Sequence, residues 1–306
     1  MTKTAFLFAG QGAQYPGMGR DLYDHYPIVK ETIDQASQVL GYDLRDLIDN
    51  EETKLNQTRY TQPAILATSV AIYRLLKEKG YQPDMVAGLS LGEYSALVAS
   101  GALDFEEAVA LVAKRGAYME EAAPAGSGKM VAVLNTSVEV IEEACKTASE
   151  VGIVTPANYN TPSQIVIGGE VAAVDCAVEL LQEAGAKRLI PLNVSGPFHT
   201  ALLESASQQL ARALEEVAFS DFTCPLVGNT EAKIMEKERI VELLTRQVKE
   251  PVRFYESIAV MQDAGVTNFI EIGPGKVLSG FVKKIDKSAQ LANVEDLASL
   301  DALLGN

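Results

Sequence analysis

The chain has 306 residues, 47% hydrophobic and 22% charged, which is ordinary for a globular protein and long enough for two domains or one large domain with an insertion. With 41 acidic and 26 basic residues the net charge is −15, which argues against bulk electrostatic binding to nucleic acid or an anionic membrane, so an anionic ligand requires a local positive pocket. Two histidines, His25 and His199, exclude a three-histidine metal site within one chain, and three cysteines without CxxC spacing read as reduced packing residues of a cytoplasmic protein.

The first apolar run, Ala5 to Ala9, is too short for a signal-peptide core or a membrane span and reads as a buried strand. It empties into a glycine-rich turn, Gly10-Gln11-Gly12-Ala13-Gln14, as strands do at the functional rim of an α/β sheet. From Pro63 to Lys79 apolar residues recur at helical spacing, with Pro63 suited to a first turn and Gly80 to a C-terminal cap. Asp84–Ala87 then reads as a short strand, Gly88–Gly92 as a turn and Tyr94–Ser100 as the start of a helix. Near the C-terminus the pattern recurs, with a strand over Asn268–Ile272, a Gly273-Pro274-Gly275 turn and a helix over Lys276–Lys284. Alternating strands and helices predict a mostly parallel sheet covered on both faces.

Between these stretches the order changes. Strand Met130–Leu134, helix Val138–Ser149, strands Ile153–Ala157 and Gln164–Gly168, helix Ala172–Ala184 and strand Arg188–Val194 give βαββαβ, the ferredoxin-like order. The expected organisation is therefore a large α/β domain over 1–126 and 195–306, interrupted by an inserted ferredoxin-like small domain over 127–194.

Gly88-Leu89-Ser90-Leu91-Gly92 fits G-x-S-x-G, in which a serine on a tight strand-to-helix turn presents its hydroxyl at the top of the sheet. The Leu91 N–H, at the start of the following helix, is the natural first donor to a developing oxyanion. A serine nucleophile needs a base, and His199, where the chain re-enters the large domain, is the better candidate; His25 lies in a polar stretch and reads as a surface residue. No carboxylate stands out as a third member. Arg115, among the apolar neighbours of a helix, either pairs with a structural carboxylate or offers a two-donor fork to a substrate carboxylate. Gly10–Tyr15 lacks the last glycine of a dinucleotide fingerprint, and Gly126-Ser127-Gly128-Lys129 lacks the flanking residues of a P-loop, so no nucleotide cofactor is expected.

Taken together, Phe8–Gln14, Thr61-Gln62-Pro63-Ala64, Gly88–Tyr94, Gly196-Pro197-Phe198-His199 and Gly273-Pro274-Gly275 resemble, in order, the malonyl-CoA:acyl carrier protein transacylases of fatty acid synthesis and related polyketide acyltransferase domains. The resemblance implies an α/β-hydrolase-like large domain with the ferredoxin-like insertion. It implies acylation of Ser90, with His199 as base, the Gln11 and Leu91 N–H groups as oxyanion hole, and Arg115 on the malonyl carboxylate. It further implies that a backbone carbonyl at Gln247 orients the histidine in place of an acid. Leu89 departs from the family's usual histidine before the nucleophile, and Phe198 resembles malonyl-selective members. The expected protein is thus a cytoplasmic monomer that moves malonyl from malonyl-CoA to acyl carrier protein without cofactor or metal. Lys187-Arg188 and Lys283-Lys284 are its candidate carrier-docking residues.

Overall fold

The computed structural model describes residues 2–305. Along them run the strands β1 (Lys3–Phe8), β2 (Met85–Gly88), β3 (Lys129–Leu134), β4 (Val154–Thr161), β5 (Gln164–Gly169), β6 (Arg188–Pro191), β7 (Val266–Ile272) and β8 (Gln290–Val294). They form two sheets, one parallel in the order β2-β1-β7-β8 and one antiparallel in the order β4-β5-β3-β6.

Strand β1 shows why the parallel sheet is central. Its side chains alternate between faces, and both faces are apolar: Phe6 and Phe8 join one core cluster, Ala5 and Leu7 another, and none of the four keeps exposed surface. The Phe6 and Phe8 side is covered by long helices, including Pro27–Leu40, Thr58–Glu78, Phe105–Ala122 and Glu204–Glu215. The opposite side is covered by Phe254–Asp263 and Val277–Ile285 through Phe254, Ile258, Met261, Leu278 and Val282. Truncating either phenylalanine would cost about 3–5 kcal/mol, a large part of the net stability of a typical domain.

In the antiparallel sheet, helices Val138–Ala148 and Val171–Glu183 cover one face, where Val131, Val133, Ile165 and Ile167 meet Ile141, Cys145, Val174 and Leu181. The opposite face carries Met130, Ala132, Ala157 and Val166, and Met130 and Val166 line a cleft against the parallel sheet. Several sequence expectations shift: the strand expected over Ile153–Ala157 runs from Val154 to Thr161, four residues further, where Asn158, Tyr159 and Thr161 still pair with β5. The helix expected from Pro63 begins at Thr58, so Pro63 lies inside it. The added turn is held by the Thr61 hydroxyl, which donates to the carbonyls of Leu55 and Gln57. The last strand of this sheet ends at Pro191, three residues before the expected Val194. Proline has no N–H to continue the ladder, and after one last bond from Leu192 N–H to the Met130 carbonyl the chain turns into the cleft wall. Among the described residues no helix is long and apolar enough to cross a membrane.

Candidate active site

Strands β1 and β2 are parallel neighbours, so the loops leaving their carboxyl ends, Gly10–Gln14 and Leu89–Leu91, lie side by side at the sheet rim. The turn after β2 is built on close backbone approach. A Cβ on Gly88 would stand 2.0 Å from the Gly92 carbonyl carbon, and one on Gly92 2.0 Å from the Phe8 carbonyl oxygen. Both positions therefore admit only glycine, and between them Ser90 is held at φ 56°. His199 has φ 59°, so of the four non-glycine residues with positive φ among those described, two are the predicted nucleophile and base. Such conformations cost about 1–3 kcal/mol each and persist where surrounding structure over-determines them.

The surrounding contacts do so. Asn229 Oδ1 accepts the Ser90 N–H at 2.8 Å and Asn229 Nδ2 donates to the Gly88 carbonyl at 2.6 Å, clamping both ends of the turn. His199 is fixed from the other side, its N–H donating to the Val248 carbonyl at 3.2 Å.

Ser90 Oγ lies 2.8 Å from His199 Nε2, and His199 Nδ1 lies 2.7 Å from the backbone carbonyl of Gln247. A carbonyl can only accept, so Nδ1 carries the proton and Nε2 presents its lone pair to the serine hydroxyl. Burial above all, and then the positive charge of Arg115, pushes the imidazole down to about 4, while the Gln247 carbonyl pulls the other way. Near neutral pH His199 is therefore unprotonated and able to take a proton.

Arg115 is buried in helix Phe105–Ala122. Its neighbour Gly116 lets that helix touch Thr58–Glu78, because a Cβ there would lie 2.6 Å from the Thr58 carbonyl. The guanidinium is thereby brought to Gln62: Nη1 donates to Gln62 Oε1 at 2.8 Å, and Nη2 donates to Gln247 Oε1 at 2.9 Å and to Ser90 Oγ at 3.2 Å. It lies over the Tyr94 ring, 5.2 Å from the centroid. Its Nε is buried without a hydrogen-bond partner among the described residues. Arg115 is thus a fixed cation with spare donors beside the nucleophile; burial holds its pKa below the usual value without neutralising it.

Gln11 and Leu91 flank the same spot, and among the described residues the backbone N–H of neither is found in a hydrogen bond. The Gln11 side chain donates to the Thr58 hydroxyl at 3.0 Å, and that hydroxyl lies 2.9 Å from Ser195 Oγ, tying the loop after β1 to the segment after β6. The cleft holding Ser90 and His199 encloses about 770 Å³, with Phe198, Leu89, Met130, Val166 and Phe281 as apolar wall and Asn158 and Asn160 as polar wall. Phe198 and Leu89 therefore face whatever occupies it.

All six sequence-predicted site residues converge here. Three partners escaped the sequence reading: Gln62, Glu93 and Asn229. The first two stood inside recognised strings, as polar residues among apolar helical neighbours, which was a usable signal for buried function; Asn229, in a loop, gave none. His25 is exposed, with Nδ1 2.8 Å from the Asp21 carbonyl. Lys187, Arg188, Lys283 and Lys284 are also exposed. Among the described residues no group of three or more His, Cys, Asp or Glu side chains could hold a metal ion.

A family model described as an acyl transferase domain matches residues 5–301. The chain is 47% identical over 304 residues to the malonyl CoA-acyl carrier protein transacylase of Bacillus subtilis, covering 98% of this chain and 96% of that one. It is 43% identical over 307 residues to that of Escherichia coli K12, covering 99% of each. Among solved structures, the crystal structure of MCAT from Streptococcus pneumoniae superposes with a TM-score of 0.98 at 85% identity, over 99% of both chains. A malonyl-transacylase solved in complex with a holo type II polyketide acyl carrier protein superposes with 0.96 at 45% identity, over all of both chains. With agreement this extensive in sequence and backbone, the chain belongs to the acyl transferase domain family and, within it, to the malonyl-CoA:acyl carrier protein transacylases.

Proposed function

We propose that the chain transfers malonyl from malonyl-CoA to the phosphopantetheine thiol of acyl carrier protein, in fatty acid synthesis, through a malonyl-Ser90 ester. The observation that carries this reading is the meeting of three groups at one oxygen: Ser90 Oγ has His199 Nε2 at 2.8 Å and Arg115 Nη2 at 3.2 Å. A general serine hydrolase needs the first contact. A buried cation at the second is what an acyl group ending in a carboxylate calls for.

In the first half-reaction Nε2 removes the hydroxyl proton as Oγ attacks the thioester carbonyl, and the oxyanion is met by the Gln11 and Leu91 N–H groups. Collapse breaks the C–S bond, and the imidazolium returns its proton to the departing coenzyme A sulfur. In the second half-reaction His199 takes the proton of the carrier thiol, the thiolate attacks the ester, and Ser90 leaves with that proton. The Gln247 carbonyl supports the imidazolium in both halves without itself titrating. Atoms and charges balance without a redox partner, and the scheme requires neither cofactor nor metal. The two half-reactions share one site, so the kinetics are ping-pong. Phe198 leaves little room for an α-branch, favouring malonyl over methylmalonyl.

The strand order supports the finer description of the fold. Taken within its own unit, β3 to β6 run 4-1-3-2 across the antiparallel sheet with both helices on one face, which we read as ferredoxin-like and assign to an inserted domain over 127–194. Residues 1–126 and 195–306 then form an α/β-hydrolase-like domain with the nucleophile after β2. The proposed setting is a cytoplasmic monomer with malonyl-CoA and acyl carrier protein as its partners. Ser90→Ala should abolish transfer from malonyl-CoA to holo acyl carrier protein; transfer at the parent rate would move the nucleophile elsewhere.

A further inference from the structure

Glu93 is a carboxyl group with no exposed environment and no part in the scheme above. It follows the nucleophile turn on helix Gly92–Ala99 and is buried under the active site. Isolated buried carboxylates are costly, and this one makes no ion pair among the described residues, so its partners must explain its presence. Its Oε1 accepts the Asn229 N–H at 2.8 Å, and its Oε2 accepts Gln247 Nε2 at 2.6 Å. The Gln247 amide thus stands between two charges, with Oε1 facing Arg115 Nη2 at 2.9 Å and Nε2 facing the carboxylate.

An amide is directional, and its two ends are nearly the same shape. Turned over, it would aim N–H groups at the guanidinium, which has donors only, and its oxygen at three acceptors: the Ser90 carbonyl at 3.0 Å, Asn229 Oδ1 at 3.2 Å and Glu93 Oε2 at 2.6 Å. Of these three, Glu93 is the charged one and the nearest, so as a carboxylate it opposes that orientation most strongly. It also places a counter-charge one amide away from Arg115 without occupying the guanidinium's donors, and Arg115 Nε has no partner among the described residues. A direct Glu93–Arg115 ion pair would have consumed them. Burial raises the carboxyl to about 7, opposed by the Asn229 N–H, Arg115 and Gln247, so at mildly alkaline pH the acceptor-only form prevails.

We propose that Glu93 is a positioning residue for acyl selectivity: by orienting the Gln247 side-chain amide it holds Arg115 where a carboxylated acyl group meets its spare donors. The proposal rests on Arg115 binding that carboxylate.

The test compares acyl-enzyme formation from malonyl-CoA and acetyl-CoA, at mildly alkaline pH, in the parent, Glu93→Gln, Arg115→Ala and the double variant. In Glu93→Gln the new side chain keeps the shape but offers one acceptor and one donor, so either the Asn229 N–H loses its acceptor or Gln247 Nε2 loses its charged one. Glu93→Gln is expected to raise KM for malonyl-CoA and lower kcat/KM by about tenfold to a hundredfold, the size of one charge-assisted hydrogen bond, with acetyl-CoA changed by less than about threefold. Adding it to Arg115→Ala should cost little more on malonyl-CoA, since both remove the same interaction. Equal losses on the two donors, or full additivity, would reduce Glu93 to a structural buried acid and overturn the proposal. If Arg115→Ala shifts the malonyl-to-acetyl ratio while Glu93→Gln does not, Glu93 alone is wrongly assigned. If Arg115→Ala leaves the ratio unchanged, the reading of Arg115 falls and this proposal with it. Glu93→Asp, which keeps the charge but shortens the reach, guards against misfolding of the first variant: partial recovery of the ratio supports the proposal, and an acetyl-like ratio in a folded protein counts against it.

Discussion

Asn229 offers the sharpest test of how the nucleophile is held, because one side chain satisfies two backbone groups that have no alternative. In Asn229→Ala the Ser90 N–H loses its acceptor and the Gly88 carbonyl its donor, at contacts of 2.8 and 2.6 Å, around a side chain with no exposed surface. Each buried group left unpaired costs about 1–3 kcal/mol, so the variant should lose about 2–6 kcal/mol. At about 2 °C per kcal/mol for a chain of this size, that predicts a Tm lowered by about 4–12 °C in a calorimetric scan. The strain at Ser90 adds a second effect. Without the clamp the residue relaxes from φ 56°, and a displacement of about 1 Å between nucleophile and base costs on the order of a hundredfold in acylation rate. The assay is rapid-quench formation of acyl-enzyme alongside the melting scan. A variant that melts within about 1 °C of the parent and acylates at its rate would refute the clamp.

Three further predictions use burial and space. With His199 pushed down to about 4, acylation by a donor whose acyl group is uncharged, such as acetyl-CoA, should keep its rate well below pH 6.5, the ordinary imidazole value, and a limb at that ordinary value would show the ring to be solvated. The same shift has a stability consequence: the unfolded chain protonates His199 at 6.5 and the folded one only near 4, so as pH falls through that window stability should drop by about 3 kcal/mol. Glu93, raised to about 7, contributes the opposite slope between its ordinary value and that point, so the His199 loss should be read from melting curves of the Glu93→Gln variant. Gly92→Ala would place a Cβ 2.0 Å from the Phe8 carbonyl oxygen and should yield no soluble folded protein, whereas Gly280→Ala, in helix Val277–Ile285 with nothing within 4 Å, should gain about 0.5–1 kcal/mol. Reversal of that order in melting temperature would show that the turn after β2 has room the structure does not give it.

Much of this architecture was legible because the information is local. The glycines of 88–92 sit two apart from Ser90 at positions where backbone meets backbone, and short apolar runs alternating with helical patterns give the strands and helices their order along the chain. What escaped is non-local. Helix Thr58–Glu78 starts before Pro63 because a threonine hydroxyl holds an extra turn, which outweighs the preference of proline for a first turn. The strand after Arg188 ends at a proline whose missing N–H matters only once its partner β3 is known. The missing acid of a serine-histidine triad was anticipated only through resemblance, since a backbone carbonyl leaves no mark on residue identity. Gln62, Glu93 and Asn229 converge on one guanidinium and one turn from positions as far apart as 62 and 229, a meeting that spacing along the chain does not announce.

The central claim is a covalent malonyl-Ser90 intermediate, and intact-protein mass spectrometry addresses it directly. Mixing the enzyme with malonyl-CoA alone should add the mass of one malonyl group to the parent and none to Ser90→Ala, and addition of holo acyl carrier protein should remove it from the enzyme and place it on the carrier. Labelling that persists in Ser90→Ala, or transfer to the carrier with no enzyme-bound species at any time, would contradict the account.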